Sequence, residues 1–272
     1  MQDWDTAIEY ASILIDEKKS TFKLADAKTK YNADYTFFDY MWAYDLSYEI
    51  IWRIGFTETS YGSPLGTVFL NFTKDLTYFY PDYVPATAAL NLYDDADLRY
   101  SGYFAGKEEG LTIGYTNGLD WPMLVKYYGN RNFTDKLIFH VSMPKPFRLA
   151  EQYLIRAEAY CRKNDFTALR KMRYASGGTL NVSKNNWLQT ISDERVRELY
   201  MEGFRLHDLK RWGREYADLN GGYSIRRTPQ SCSQPEGSSL KITPDNPLFV
   251  WPIPQHELES PGSEMVTNES KR

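Results

Sequence analysis

The sequence predicts a mainly α protein in which helical hairpins pack against a loop-rich region carrying a few short strands. Three observations predict it. Apolar residues recur at helical spacing in three stretches, around residues 7–15, 149–160 and 193–210. The first two are separated by a span, residues 57–145, rich in Gly, Pro, Asn, Asp and Tyr and without a steady period. A span this long inside a folded chain is usually functional or disordered. Aromatic residues make up 16% of the 272, with 22 Tyr, 14 Phe and 7 Trp, and that density argues for an ordered span.

The first helix rests on Ala7, Ile8, Ala11, Leu14 and Ile15, whose spacing puts them on one face. Asp3 and Asp5 supply capping carboxylates at its start. The run from Asp3 to Ala11 resembles the second helix of a tetratricopeptide hairpin, where a small residue lets two helices approach. Its mate would precede Met1, so residues 1–27 are expected to form a lone helix with an uncovered apolar face. On that ground the chain is expected to be the C-terminal part of something longer. Residues 28–146 form the loop-rich aromatic region. Tyr35, Phe37, Phe38, Tyr40, Met41, Trp42 and Tyr44 crowd its start. Residues 49–56 then predict a short buried strand, and Asn117-Gly118 a tight turn.

Helical hairpins occupy residues 147–213. Leu149 to Tyr160 is strongly helical, with Pro144 and Pro146 marking its start. Asn164-Asp165-Phe166 makes the turn, residues 167–174 begin the returning helix, and Gly177-Gly178 ends the pair. Residues 193–210 predict one further helix, capped by Ser192 or Asp193. Val196, Leu199, Tyr200, Leu206 and Leu209 form its apolar face, and Gly203 is placed for close contact with a neighbour. Opposite charges recur three apart at Glu194/Arg197, Arg195/Glu198, Glu202/Arg205 and Asp208/Arg211. They are either exposed pairs worth about 0.2–0.5 kcal/mol each or a partly buried network that specifies packing. Residues 214–272 form an extended C-terminal segment. Pro252 and Pro254 keep 248–257 from being helical, so it should lie extended over the core, with a frayed end beyond. The whole is expected to be one domain over 1–272.

Composition excludes several classes. Thirty-two Lys and Arg against 36 Asp and Glu leave a net charge of -4, which argues against a nucleic-acid binder. The basic clusters Arg170–Arg173 and Lys210–Arg214 sit in helix-like stretches and read as solvated faces. No stretch approaches the roughly 18–20 apolar residues of a membrane span, and the opening Met1-Gln2-Asp3-Trp4-Asp5 lacks the features of a secretory signal. No phosphate-cradling or dinucleotide loop occurs. His140, His207 and His256 are too dispersed to support a zinc site. Cys161 and Cys232 make no disulfide framework, and their pairing is left open. The acidic clusters Asp94-Asp95-Ala96-Asp97 and Glu108-Glu109 lie in polar surroundings. They look solvated, or able to tie down a loop, rather than set as a glycosidase acid/base pair. No metal or other cofactor is expected.

Taken in order, these blocks resemble the SusD/RagB family of outer-membrane nutrient-binding lipoproteins. The resemblance is carried by Arg148-Leu149-Ala150-Glu151-Gln152-Tyr153-Leu154-Ile155-Arg156-Ala157-Glu158-Ala159-Tyr160 and, more strongly, by the block from Ile191 through Glu194-Arg195, Glu202-Gly203 and Asp208-Leu209 to Arg211-Trp212-Gly213. Trp251-Pro252-Ile253-Pro254-Gln255-His256-Glu257 matches the family's closing segment, and Pro85-Ala86-Thr87 with Leu92 to Arg99 its mid-chain passage. The resemblance implies a SusD-like fold, tetratricopeptide-like hairpins on one side and loop-rich structure on the other. It implies a lipid-anchored protein of the outer-membrane surface that binds glycan, caps a SusC-like TonB-dependent transporter and has no enzymatic activity. The family's secretion signal and lipid-bearing Cys are not among these residues, and Ser260-Pro261-Gly262 stands where the family has an Asn-rich ending.

Family motifs of this kind are structural, so sugar contacts have to come from chemistry. A sugar ring lays its apolar face on an aromatic plane while its hydroxyls need fixed polar partners. Aromatic residues of the irregular span, with nearby amide or guanidinium groups, are the candidates: Tyr61, Asn71, Tyr80, Tyr83, Trp121, Tyr127 and Arg131. Trp4 and Trp212, on helices, are assigned to packing. The competing functions are a helical-repeat scaffold that binds protein and no sugar, and a hydrolase of unrelated chemistry. Aromatics concentrated in the irregular span favour the sugar binder over the scaffold.

Overall fold

The computed structural model describes residues 3–16, 21–72, 77–115, 120–171, 179–226 and 241–266. The chain divides into two compact units, residues 1–202 and 203–272. The first unit holds helices α1 (Trp4–Asp16), α2 (Phe37–Tyr44), α3 (Thr87–Leu90), α4 (Arg99–Tyr103), α5 (Arg131–Thr134), α6 (Leu149–Arg162), α7 (Thr167–Arg170) and α8 (Trp187–Glu198). Its strands are β1 (Ile50–Trp52), β2 (Phe104–Ala105), β3 (Met123–Leu124) and β4 (Phe147–Arg148). The second unit holds α9 (Arg205–Leu219), β5 (Ile225–Arg226), β6 (Lys241–Ile242) and α10 (Gln255–Leu258).

The helical side follows the sequence pattern with three corrections. Asp3 caps α1 by accepting from the Thr6 amide at 3.1 Å, and Ala11 is buried. The helix does not stand alone, because it packs along α6. Arg156 reaches Ser12 at 3.3 Å and pairs with Asp16, Lys163 pairs with Asp5, and Ala150, Ala157 and Ala159 of α6 are fully buried. The turn after α6 needs a left-handed residue, supplied by Asn164 (φ 64°). Asp165 then accepts from the Thr167 amide at 2.9 Å and starts α7.

The second correction concerns residues 193–210, which form no single helix. α8 begins at Trp187, so Ser192 and Asp193 lie inside it and do not cap it, and it ends at Glu198. Met201 and Gly203 take φ of 57° and 91°, and a helix does not continue through two left-handed residues in three. Gly203 has nothing within 4 Å of where a Cβ would stand. It serves the turn and not a close helix contact. The third correction is β1, which is shorter than predicted and not buried. It pairs antiparallel with β4 alone, Ile50 opposite Arg148, and Trp52 is 52% exposed. β2 and β3 pair likewise, Phe104 opposite Leu124.

The loop-rich region builds its own core from Phe38, Met41, Tyr103, Phe104, Met123 and Leu124, all almost fully buried. Beneath it runs a lattice of buried charge. Arg99 bonds Asp97 at 2.6 Å and Glu194 and Glu198 at 2.8 Å. Arg148 bonds Glu202 at 2.7 Å, Glu198 at 3.1 Å and Glu49. Lys126 meets Glu202 at 2.6 Å. Glu194, Glu198 and Glu202 of the helical charge pattern thus belong to a buried network, and Asp97 is tied down in it, the second of its two readings from sequence. Tyr93 and Tyr103 donate to the carbonyls of Arg197 and Glu198 at 2.9 Å, which joins the loop region to α8.

In the second unit α9 bends at Gly213 (φ 51°), and Trp212 packs on Tyr216 with ring centres 5.7 Å apart. β5 and β6 pair antiparallel. Residues 251–254 carry no helix, as the prolines require, but the stretch predicted non-helical is entered at both ends, by a 3-10 turn over Pro247–Phe249 and by α10 from Gln255, and Val250 and Trp251 are exposed. Cys161 is buried, and that burial pushes its thiol up to about 12. Cys232, Asn117-Gly118 and Gly177-Gly178 lie outside the described residues.

Candidate ligand-binding site

Sequence pattern alone makes the 35–44 segment look like an aromatic loop. It folds as α2 because Thr36 and Asp39 form a reciprocal cap. The Thr36 hydroxyl accepts from the Asp39 amide at 3.1 Å, and the Asp39 carboxylate accepts from the Thr36 amide at 3.2 Å. The helix buries Phe38, Met41 and Trp42, which leaves Phe37, Tyr40 and Tyr44, at i, i+3 and i+7, on one outer face and Asp39 and Ala43 on another. Its end is fixed by Asp45, left-handed at φ 55°. The buried Asp45 carboxylate accepts from the Met143 amide at 3.0 Å and from the Asn130 side chain at 2.7 Å. It also pairs with Lys145. Asn130 in turn caps α5, accepting from the Asn132 amide at 3.0 Å, and donates to the Tyr44 carbonyl at 2.9 Å. One asparagine therefore locks the start of α5, and with it Arg131, to the end of α2.

Two open clefts adjoin α2, one against each outer face. The first, of 410 Å³, is lined by Asp34, Tyr35, Asp39, Tyr128 and Arg131 among others. Arg131 donates from Nε to the Tyr35 hydroxyl at 3.1 Å and stacks its guanidinium over the Tyr128 ring at 4.9 Å. The second cleft, of 670 Å³, is lined by Lys23, Asp26, Tyr31, Phe37, Tyr40 and Tyr48 among others. The aromatic rings connect the two. Tyr31 lies 3.8 Å from Tyr40, Tyr40 stacks on Tyr44 at 4.6 Å, and Tyr44 meets Tyr35 edge-on at 5.8 Å. Tyrosines with apolar faces and hydroxyl tips, beside a few charged groups, are suited to a polar ligand with apolar faces.

Of the seven residues picked from sequence, Arg131 alone lines the first cleft and none lines the second. Tyr127 is a correction. At 7% exposure, with its hydroxyl donating to the Met201 carbonyl at 3.1 Å, it belongs to the core. Trp121 is half-buried and donates to the Pro85 carbonyl at 2.8 Å. Tyr80 packs edge-on against Tyr115 at 5.6 Å. Asn71 is exposed with a left-handed backbone of φ 38°, while Tyr61 and Tyr83 are exposed outside both clefts. Sequence analysis missed Tyr31, Tyr35, Tyr40 and Tyr128. The Thr36/Asp39 spacing was the available signal for Tyr40, since a helix there sets its face.

The chain matches the sequence profile of the SusD family over residues 93–269. The chain belongs to the SusD family. Starch-binding protein SusD of Bacteroides thetaiotaomicron is 36% identical over 132 residues, 44% of this chain and 22% of that protein. Among solved structures, a SusD superfamily protein of Bacteroides thetaiotaomicron superposes with a TM-score of 0.68 at 20% identity, covering 95% of this chain and 55% of its own. Surface glycan-binding protein A of the same organism, solved in complex with laminarihexaose, has a TM-score of 0.62 at 17% identity, covering 97% of this chain and 59% of its own. These structural likenesses show the fold. The chain spans less than two thirds of the length of each of these SusD-family relatives.

Within this SusD-family chain, the charge lattice sits under the clefts through Trp42, which lines the first. Lys126 lies 4.2 Å and Lys145 4.9 Å from the Trp42 ring centre. Burial pulls the Lys126 ammonium down to about 8 against the pull of Glu202. Burial raises Glu49 to about 7 even though Arg148 opposes it, because that guanidinium is shared with Glu198 and Glu202. Among the described residues, no group of three or more His, Cys, Asp and Glu could hold a metal ion. No helix among them is long and apolar enough to cross a membrane.

Proposed function

We propose that this chain is the glycan-binding part of an outer-membrane carbohydrate uptake system. It is a non-catalytic protein of the cell surface, held by a lipid anchor, that presents oligosaccharide to a SusC-like TonB-dependent transporter. The cleft between α2 and α5 is the observation that supports this most: a stacked Arg131–Tyr128 pair beside Tyr35 and Asp34, in a chain whose relatives are named for starch and glycan binding. A sugar ring lies on the aromatic faces while Arg131 donates to its hydroxyls and Asp34 accepts from them.

Calorimetric titration against starch, a laminarin-type glucan and an acidic polysaccharide, with reducing ends assayed in the same samples, tests the reading. Saturable binding without new reducing ends is expected, and Arg131→Ala should weaken it about tenfold, the equivalent of roughly 1.4 kcal/mol, without changing the melting temperature. Silence across the panel, or steady release of reducing ends, would overturn it.

A further inference from the structure

The two clefts differ in shape but share one wall and one chemistry. From Tyr31 at the second cleft, through Tyr40 and Tyr44, to Tyr35 and then Arg131 and Tyr128 at the first, each group touches the next, with separations between 3.1 and 5.8 Å. Phe37 extends the series, edge-on to Tyr31 at 5.5 Å. Along α2 this ribbon runs over eight residues, Phe37–Tyr44, a rise of about 10 Å. Its outer end is open: Tyr31 is 47% and Tyr48 71% exposed. Tyr31 hydrogen-bonds the Tyr40 hydroxyl, which with burial raises Tyr40 to about 12.

The charge of the lining narrows the ligand further. Asp34, Asp39 and Arg131 mark the first cleft, Lys23 and Asp26 the second. Lys126, the other base lining the first, is paired with Glu202. Neither cleft carries a surplus of Arg and Lys, which recognition of a carboxylated or sulfated polymer would need.

The geometry points to one extended site: a single neutral glycan chain lies across α2, occupying both clefts at once, with Tyr31, Phe37 and Tyr48 forming an outer subsite that shorter sugars do not reach. This rests on the glycan-binding reading and adds to it a chain-length requirement and an uncharged substrate class.

The test is titration of the chain with di-, tetra- and hexasaccharides of a neutral β-glucan and of starch, and with polygalacturonate. Affinity should rise steeply with length for the neutral series that binds, and polygalacturonate should not bind. Tyr31→Ala should weaken the hexasaccharide about tenfold, roughly 1.4 kcal/mol of ring contact, and leave the disaccharide unchanged. Tyr31→Phe, which keeps the ring, should stay near wild type, and melting curves show whether each variant is folded. Tyr48→Ala, at the more exposed ring, gives the same comparison should Tyr31→Ala fail to fold. Equal losses for short and long sugars, no loss for either, or tight polygalacturonate binding would overturn the extended site while leaving glycan binding intact. Failure of the wild type to bind any glycan would remove both.

Discussion

The tyrosine ribbon and the charge lattice lie on opposite sides of α2 and use the same chemistry, cations and carboxylates set against aromatic rings, to opposite ends. In the lattice every charge is dry and paired. Arg99 and Arg148 are each 1% exposed and bond three carboxylates apiece. In the clefts Arg131, Tyr35, Tyr40 and Tyr128 are only half-buried and Asp34 is exposed. Burial decides the role. A desolvated charge must be matched by its neighbours or it costs several kcal/mol, so the lattice fixes one arrangement of loops. Groups left in water hold their hydrogen bonds cheaply and can exchange them for a ligand's.

The comparison predicts a wide gap between the two sides under mutation. Arg148→Met removes the shared cation, takes from Glu49 its cation, and leaves Glu198 to Arg99 and Glu202 to Lys126. It should lower stability by about 3–5 kcal/mol, read as the midpoint of urea unfolding. Tyr35→Ala, on the cleft side, should change that midpoint by no more than about 0.5 kcal/mol while weakening glycan binding. Similar losses for the two variants would mean that the ribbon is part of the core and the distinction between the sides is false.

Asn130 is where the two sides meet, and it should show both effects. Its side chain satisfies Asp45 and the end of α2, and it caps α5. Asn130→Ala should cost about 2 kcal/mol, the sum expected of a lost cap and an under-satisfied buried carboxylate. Because Arg131 begins α5, sugar affinity should fall as well, which Arg131→Ala mimics without the stability loss. A destabilised Asn130→Ala that binds sugar normally would show that the cleft is held by other contacts.

What could be read from sequence follows the same divide. α1, α6 and the start of α7 carry apolar stripes of helical period, and a stripe survives whatever packs on it. The partnership of α1 with α6 was not legible, because a stripe names a face and not its mate. Residues 193–210 misled because helical charge spacing continues across Met201 and Gly203, where two left-handed residues break the helix. α2 was hidden by composition: its tyrosines and phenylalanines favour strands, and the local cap and burial of Phe38 and Met41 override them. Tyr127 and Tyr128 show the limit most clearly. Neighbours of the same type, one is core and the other lines a cleft, and only the packing of residues distant in sequence separates them.

The smallest effect expected concerns pH. His140 is buried against Phe72, ring centres 4.2 Å apart, and its Nδ1 has no hydrogen-bond partner. Burial pulls its imidazole down to about 4 from 6.5. The unfolded chain takes up this proton as pH falls through 6.5, whereas the folded protein resists until about 4, so this group costs stability progressively across that window. Glu49 acts oppositely. Raised to about 7 from 4.5, it is protonated in the fold before it is protonated in the unfolded chain, so its contribution grows as pH falls between those values. The two offset each other, and melting temperature should vary little between pH 7 and 5. His140→Asn removes one side of the balance, and asparagine tolerates the left-handed backbone at this position (φ 64°). The variant should gain melting temperature relative to its own value at pH 7 as the solution is acidified to pH 5, where wild type stays flat. A variant whose profile parallels wild type would show that His140 titrates freely and that the loops around it are not closed to water.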